Sequence, residues 1–324
     1  MPLSRRARAV KYLWDVGCVL SIVGIWPRFI EPNLISTTCL SLPIAGLPSS
    51  LHGLKIAQFS DLHMSSSVTD SFLKRVSTKI NSWKPDLIVF TGDFLCHSRI
   101  YDSPRMKSFL ISLQATHGCY CIFGNHDYQA YVAVNSSGEY DVMAKVPIDQ
   151  FKGIKRIFCG LSVTGEMSPR LKGGLDPHQE LSELIRETQF QILENQSTCV
   201  KIDDSAINVV GLGEYIANCF DAEKAFKNYD TRYPGIVLAH NPDGIPKLLK
   251  HPGDVILCGH VHGGQINLPW LRKRFVVLEN PQYVRGTFRE GDRWVHINRG
   301  LGATLRFRLL ASPELTFITL QGET

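Results

Sequence analysis

Five short apolar runs set the rhythm of the chain, and each ends in aspartate, asparagine or histidine. Leu54-Lys55-Ile56-Ala57-Gln58-Phe59-Ser60 leads to Asp61 and His63, and Leu87-Ile88-Val89-Phe90-Thr91 leads to Gly92-Asp93. Cys119-Tyr120-Cys121-Ile122-Phe123 leads to Gly124-Asn125-His126-Asp127, and Ile236-Val237-Leu238-Ala239 leads to His240-Asn241. Val255-Ile256-Leu257-Cys258 leads to Gly259-His260-Val261-His262-Gly263-Gly264. Short runs of this composition read as buried strands feeding tight loops. Between the first two, Val68, Phe72, Val76 and Ile80 form an i, i+4 ladder that predicts a helix over 68–83; residues 106–113 read likewise ahead of the third run. Strands and helices in alternation predict parallel crossovers and an α/β fold. In such sheets ligands gather beyond the carboxyl ends of the strands, where all of these polar residues fall.

After Asp127 the rhythm breaks. Residues 129–186 read as an insertion over the strand mouths, with Val146-Pro147-Ile148, Lys152-Gly153-Ile154 and Ile157-Phe158 as apolar islands among basic residues. It is either a surface excursion or a cap that grips an amphiphilic substrate. Strands resume at Ile207–Leu212, short helices follow near 221–229 and 243–250, and Arg293–Ile297 with Thr304–Leu320 read as antiparallel strands of a second sheet. Ahead of all this, Pro32–His52 reads as a connection plus an edge strand. The expected division is therefore 1–50 as an N-terminal segment and 51–324 as a catalytic domain.

That N-terminal segment is basic and then apolar. Trp14, Val16, Cys18, Val19, Leu20, Ile22, Val23, Ile25 and Trp26 follow Arg5, Arg6, Arg8 and Lys11. The apolar run is shorter than the ~20 residues of a comfortable span. An interfacial anchor helix, a marginal span or uncleaved signal, and a buried domain helix all fit, the first best. Ser4-Arg5-Arg6 faintly resembles a twin-arginine signal, but no clear cleavage site follows. A spanning helix with its basic flank inside would put the domain on the outer side.

Composition refines the picture in two places. The formal charge of +5 on 324 residues comes mostly from those four N-terminal cations, and no basic stripe with interleaved aromatics remains, which speaks against nucleic acid. The cysteines number nine and several sit inside core strands without zinc-ligand spacing, which points to reduced thiols rather than a disulfide framework.

The polar residues at the strand ends define the chemistry. Two hard cations side by side need a bridging carboxylate, and Asp93 is the candidate. Asp61, His63 and His262 would stand on one side and Asn125, His240 and His260 on the other, with the two histidines of the last motif on the same side of an alternating backbone. Mixed oxygen and imidazole ligation without thiolate suits Mn²⁺, Fe or Zn²⁺. Two such ions can activate water and clamp phosphoryl oxygens during in-line displacement. His126 directly follows Asn125, so it is better placed to donate a proton to a leaving oxygen or to stabilise phosphorane-like charge than to share the ion, and Asp127 is the candidate to orient its ring.

These motifs, Asp61-x-His63, Gly92-Asp93, Gly124-Asn125-His126-Asp127, Ala239-His240 and Gly259-His260-x-His262, resemble the five blocks of the calcineurin-like metallophosphoesterase family. The resemblance runs from about residue 54 to 320. It implies a four-layer αββα sandwich, a dinuclear centre of divalent ions, most readily Mn²⁺, and the ligand roles given above. Gly263-Gly264-Gln265-Ile266, Asn298-Arg299-Gly300-Leu301-Gly302 and Ser312-Pro313-Glu314-Leu315 further resemble a branch with an N-terminal hydrophobic segment. That branch includes enzymes that split UDP-2,3-diacylglucosamine to lipid X and UMP in lipid A synthesis. The resemblance implies a lipid-linked nucleotide sugar as substrate, a membrane surface as partner and no protein partner. It also implies a peripheral or monotopic place on the cytoplasmic face of a bacterial inner membrane. For such a substrate the candidates to bind the second phosphate are Arg299, Arg306 or lysines of the insertion. Two other readings compete: a broad phosphodiesterase or phosphatase on soluble phosphoesters, and a metal-bound scaffold without turnover. The chain departs from the branch in its long insertion and in Gly213-Glu214, which stands where an Asp pair is common.

Overall fold

The computed structural model describes residues 5–143, 163–268 and 276–323. The chain starts with α1 (Arg5–Leu20), which continues through the wider π-helical turns of Ser21–Ile30 and a 3-10 turn at Glu31–Asn33. Pro27 lies inside this helix, where its missing N–H and ring are tolerated by the wider turns. The helical stretch Val10–Asn33 is therefore 24 residues, long and apolar enough by length and composition to cross a membrane, and longer than the apolar run alone suggested.

The strands follow: β1 (Ser36–Ile44), β2 (Lys55–Phe59), β3 (Leu87–Thr91) and β4 (Cys119–Ile122), with α2 (Asp70–Trp83) and α3 (Ser103–Ile111) as the crossovers. β5 (Val132–Val134) and β6 (Tyr140–Val142) form a small antiparallel pair inside the insertion, and α4 (Gln179–Arg186) ends it. Then come β7 (Phe190–Ile192), β8 (Gln196–Ile202), β9 (Ser205–Gly211), α5 (Ala222–Phe226), β10 (Gly235–Leu238), α6 (Ile245–Leu248) and β11 (Val255–Cys258). β12 (Gly286–Glu290), β13 (Arg293–Ile297) and β14 (Glu314–Gly322) close the chain. The apolar islands expected at 146–158 lie outside the described residues.

Two six-stranded sheets result, in the orders β1-β14-β2-β3-β4-β7 and β12-β13-β11-β10-β9-β8. Strict alternation sorts their side chains. Ile56, Leu87, Val89 and Ile122 of the first sheet meet Ile207, Val209, Ile236, Leu238, Val255 and Leu257 of the second. The odd partners Phe59, Ile88, Phe90 and Cys121 face α2 and α3 through Phe72, Val76, Ile80, Met106 and Phe109. On the other side Val237, Ile256, Cys258 and Val295 face Ile245, Leu248 and Ala225. Helix, sheet, sheet, helix is the αββα sandwich, and strands buried on both faces explain why the runs are continuously apolar.

Two boundaries differ from expectation. The edge strand expected within 32–52 is present as β1, at the edge of its sheet and parallel to β14 from Ser36 to Ile44, so the first sheet begins well before residue 51. Arg293–Ile297 and the C-terminal strand do not share a sheet: β13 lies between β11 and β12, whereas β14 lies between β1 and β2. Residues 304–313 carry no strand because their carbonyls and amides are spent elsewhere. The N–H groups of Arg308, Leu309 and Ala311 donate to the Pro27 carbonyl, the Gln265 carbonyl and Glu31, and the carbonyls of Leu309 and Ala311 accept from the Asn267 N–H and the Arg308 guanidinium.

Candidate dinuclear metal centre

The carboxyl ends of β2, β3, β4, β10 and β11 converge, and the loops they feed are strained where the donors sit. Asp61, His63, Asp93, His260 and His262 have φ of 51°, 44°, 65°, 73° and 52°, in the left-handed region that side chains rarely adopt. Each costs about 1–2 kcal/mol, so the surroundings must hold them there. Gly92, at φ 93°, shows how close the loops come: a Cβ there would lie 2.7 Å from His240 Nδ1 and from the Gly124 amide.

Hydrogen bonds aim each donor. The Nδ1 of His63 donates to the Leu95 carbonyl (3.0 Å) and that of His240 to the Thr91 carbonyl (2.6 Å), which turns both Nε2 atoms inward. Asn125 Nδ2 donates to the Val132 carbonyl (2.9 Å), so its oxygen turns to His260 Nδ1 at 3.0 Å. His240 Nε2 is 3.3 Å and His63 Nε2 3.5 Å from the same oxygen of Asp93, while Asp61 Oδ1 lies 3.7 Å from His262 Nε2.

The donors fall into groups whose atoms lie within 4.8 Å of one another: Asp61, His63 and His262; His63, Asp93 and His126; and Asp93, His240 and His260. Asp93 belongs to two of them. Oxygen and imidazole donors that face each other at such distances, with His63 and His262 nitrogens 3.1 Å apart, suit hard to borderline divalent cations. The protonation states agree. Burial above all pushes His63 to about 4 and His260 to about 3, and burial together with His63 and Arg308 holds His262 well below its ordinary value, so these rings are neutral. Burial opposes, but the negative charges of Asp93, Glu214 and Asp61 carry His240 well above its ordinary value. Burial raises Asp61 to about 6. The cluster thus draws positive charge to itself, and a divalent ion would release the His240 proton.

His126 lies beside the ligand groups, its Nε2 3.9 Å from Asp93 Oδ2. The His97 backbone N–H donates to its Nδ1 (2.8 Å), which leaves the ring proton on Nε2. Tyr131 lies against the same ring at 4.4 Å between centroids. A cavity of about 150 Å³ opens over Asp93, Asn125, His126, His260 and His262, walled by Tyr131, Val132, Val134, Ile216 and Val277.

Four expectations need correction. His260 and His262 do not share a side: opposite their alternation, the left-handed turns send His260 to Asp93 and His240, and His262 to Asp61 and His63. Asp127 does not orient His126. Its carboxylate accepts the backbone N–H groups of Asp93 (2.7 Å), Phe94 (3.1 Å), Leu95 (2.9 Å) and Gly124 (3.0 Å), and so clasps the loop that carries Asp93. Arg299 is paired with Glu314 (3.1 Å) and Ser36 (2.8 Å), and Arg306 with the Ser67 carbonyl (2.8 Å) and Asn33 (2.5 Å). Neither lines the cavity. Described cysteines are all free, and burial pushes Cys119 up to about 12, which makes a resting thiolate unfavourable.

The pattern missed four residues of the site's surroundings. His97, which aims His126 through its amide, and Tyr131 carry no strand-end signal. Glu214 does: it follows β9 as the other acids follow their strands, it is buried, its Oε2 has no hydrogen-bond partner, and burial raises it to about 7. Arg308, fully buried, brings a guanidinium nitrogen to 3.3 Å from His262 Nδ1.

The role of Asp127 has a measurable consequence. In Asp127→Ala four buried amides lose their acceptor, at about 1–3 kcal/mol for each group left unsatisfied, so the folded state should lose about 3–5 kcal/mol by urea denaturation. A loss below about 1 kcal/mol would show that the clasp is dispensable.

This donor geometry on an αββα sandwich defines a metal-dependent phosphoesterase, and the chain belongs to the calcineurin-like phosphoesterases, whose family model matches residues 54–264. Members of this family use a dinuclear divalent metal centre. The chain is 40% identical over 308 residues to the UDP-2,3-diacylglucosamine pyrophosphatase LpxG of Chlamydia trachomatis, covering 91% of this chain and 92% of that protein. It is 39% identical over 312 residues to the protein of the same name from Chlamydia muridarum, with coverage of 91% and 92%. It is also 31% identical to the uncharacterized metallophosphoesterase YkuE of Bacillus subtilis, covering 91% and 89%.

Proposed function

We propose that the chain hydrolyses UDP-2,3-diacylglucosamine to 2,3-diacylglucosamine 1-phosphate and UMP, as a step of lipid A synthesis. The observation that carries this reading is the 40% identity, along nearly the whole of both chains, to a protein named for that reaction. The apolar wall of Val132, Val134, Ile216 and Val277 beside the donors supports it, because an acylated substrate gains by covering such a wall.

Asp61, His63 and His262 would hold one ion and Asn125, His240 and His260 the other, with Asp93 shared. We take the ions to be Mn²⁺, with Fe and Zn²⁺ compatible with the same donors. When bound, they supply an activated water and neutralise charge on the phosphoryl oxygens. His126, its Nε2 proton turned to the site by the His97 amide, donates a hydrogen bond to the charge that develops on the leaving phosphate oxygen. Asp127 keeps the Asp93 loop in its strained form. Water enters the P–O–P bridge, one phosphate leaves with the uridine and the other stays on the sugar. With Arg299 and Arg306 already paired, the second phosphate is left to other cations of the chain. The helix over 10–33, lying in the interface as a monotopic anchor rather than crossing, would hold the domain at the cytoplasmic face of an inner membrane, the side on which uridine nucleotides are made.

The test is hydrolysis by the full-length, Mn²⁺-loaded protein of UDP-2,3-diacylglucosamine beside UDP-N-acetylglucosamine and bis-p-nitrophenyl phosphate. UMP release from the acylated substrate, at a kcat/KM at least about 10²-fold above that of the unacylated sugar, is expected. Equal turnover of all three would replace the lipid reading with a general phosphodiesterase.

A further inference from the structure

The loop over 303–312 is tied to the end of the N-terminal helix at several points, beyond the Arg306–Asn33 bond already described. The Arg308 N–H donates to the Pro27 carbonyl (2.8 Å), Arg28 Nη1 donates to the Arg306 carbonyl (2.6 Å), and the Ala311 N–H donates to Glu31 Oε1 (2.7 Å). Glu31 is buried and its side chain accepts from Trp26, Ala311 and Ser312, so this join is a built one. Two leucines of the loop point away from it: Leu305 is 60% and Leu310 55% exposed. After Leu34, the described residues show few other exposed large hydrophobics, namely Tyr101, Ile111 and Leu249, each in a different element or loop. Only the loop leucines are attached to the helix end, where Phe29, Ile30 and Leu34 are exposed as well.

Leu310 has a second peculiarity. Its φ is 57°, a conformation that glycine or asparagine adopts at far less cost than a leucine. An exposed, strained leucine gains nothing in water, and removal of its side chain from water would offset the strain. Thr304, one residue before Leu305, lines the cavity over the metal donors. The apolar patch therefore borders the mouth of the site.

We propose that Leu305 and Leu310, with Phe29, Ile30 and Leu34, form a second membrane contact that seats the cavity mouth on the bilayer surface. The occupant is the lipid interface rather than a protein. The patch continues a helix long and apolar enough to cross a membrane, and Arg28 at its edge suits anionic headgroups. A lipid substrate then reaches the donors past Thr304 without leaving the bilayer. The proposal rests on the membrane-surface reading above, and not on the identity of the substrate.

The experiment places a spin-labelled residue at 305, 310 or 249, one at a time, in the full-length protein reconstituted into phosphatidylethanolamine–phosphatidylglycerol vesicles. Collision with oxygen, which dissolves in the bilayer, is compared with collision with a nickel chelate that stays in water. Labels at 305 and 310 should favour oxygen and label 249 nickel, with the ratio of the two collision rates differing by about tenfold. Nickel access at 305 and 310 equal to that at 249 overturns the proposal. So does shielding from both reagents, which would mean a protein covers the patch. Wrong substrate identity would appear instead as silence of the wild-type protein on the acylated sugar, with the label pattern unchanged.

Discussion

Asp93→Ala is expected to lower kcat/KM by at least about 10³-fold and to reduce bound Mn²⁺ from about two ions per chain to one or fewer. The reason is that one oxygen of Asp93 serves both sides of the site, 3.5 Å from His63 Nε2 and 3.3 Å from His240 Nε2. Among the described residues no other carboxylate belongs to two of the donor groups. Its second oxygen accepts the His126 N–H (2.9 Å), so Ala also frees the loop that carries the proton donor. Asp93→Asn separates these effects. An amide keeps the size and one acceptor oxygen but lacks the charge that binds two cations, so the fold should survive while metal is lost. Retention of both ions by the Asn variant, measured by inductively coupled plasma mass spectrometry on dialysed protein, would remove Asp93 from the shared position.

His126→Ala should leave both ions in place and lower kcat on the sugar nucleotide by about 10²–10³-fold, the range of a lost hydrogen-bond donor to developing negative charge. The ring is built to lend a hydrogen bond: the His97 amide occupies Nδ1 and fixes the proton on Nε2, and burial holds the pKa well below the ordinary value, so the imidazole is neutral and keeps its proton. The leaving group decides how much that hydrogen bond matters. A nucleotide phosphate leaves with its charge on the bridging oxygen, whereas p-nitrophenolate spreads the charge over its ring, so hydrolysis of bis-p-nitrophenyl phosphate should fall by no more than about tenfold. Equal losses on both substrates would mean that His126 acts on the phosphoryl oxygens rather than on the leaving oxygen.

Much of this centre was legible in the chain alone because strand ends announce themselves. An apolar run buried on both faces must stop where polar chemistry starts, and the residues at each stop were Asp61 and His63, Asp93, Asn125 and His126, His240, and His260 and His262. The continuously apolar runs foretold buried strands of an α/β fold, while the sandwich came from the family resemblance; in the structure Ile56 and Val89 lie on one face and Phe59 and Phe90 on the other. Local pattern could not say how a loop turns once it leaves the strand. His260 and His262 diverge because both take left-handed backbone, and Asp127 turns from its neighbour to four amides because those amides come from β3 and β4 loops folded together.

Charge was the other blind point. An arginine in a sequence is a free cation until the fold supplies its partners, and Ser36 for Arg299 and Asn33 for Arg306 lie far away along the chain. The buried guanidinium of Arg308 beside His262, and the join between the helix end and the 303–312 loop, likewise rest on contacts between distant segments. The sequence by itself determined which residues end the strands and hence which donors are available, since burial of apolar runs is a local pattern. Only the tertiary structure decided which donors face one another and which charges are already spent, because those depend on where separate loops meet.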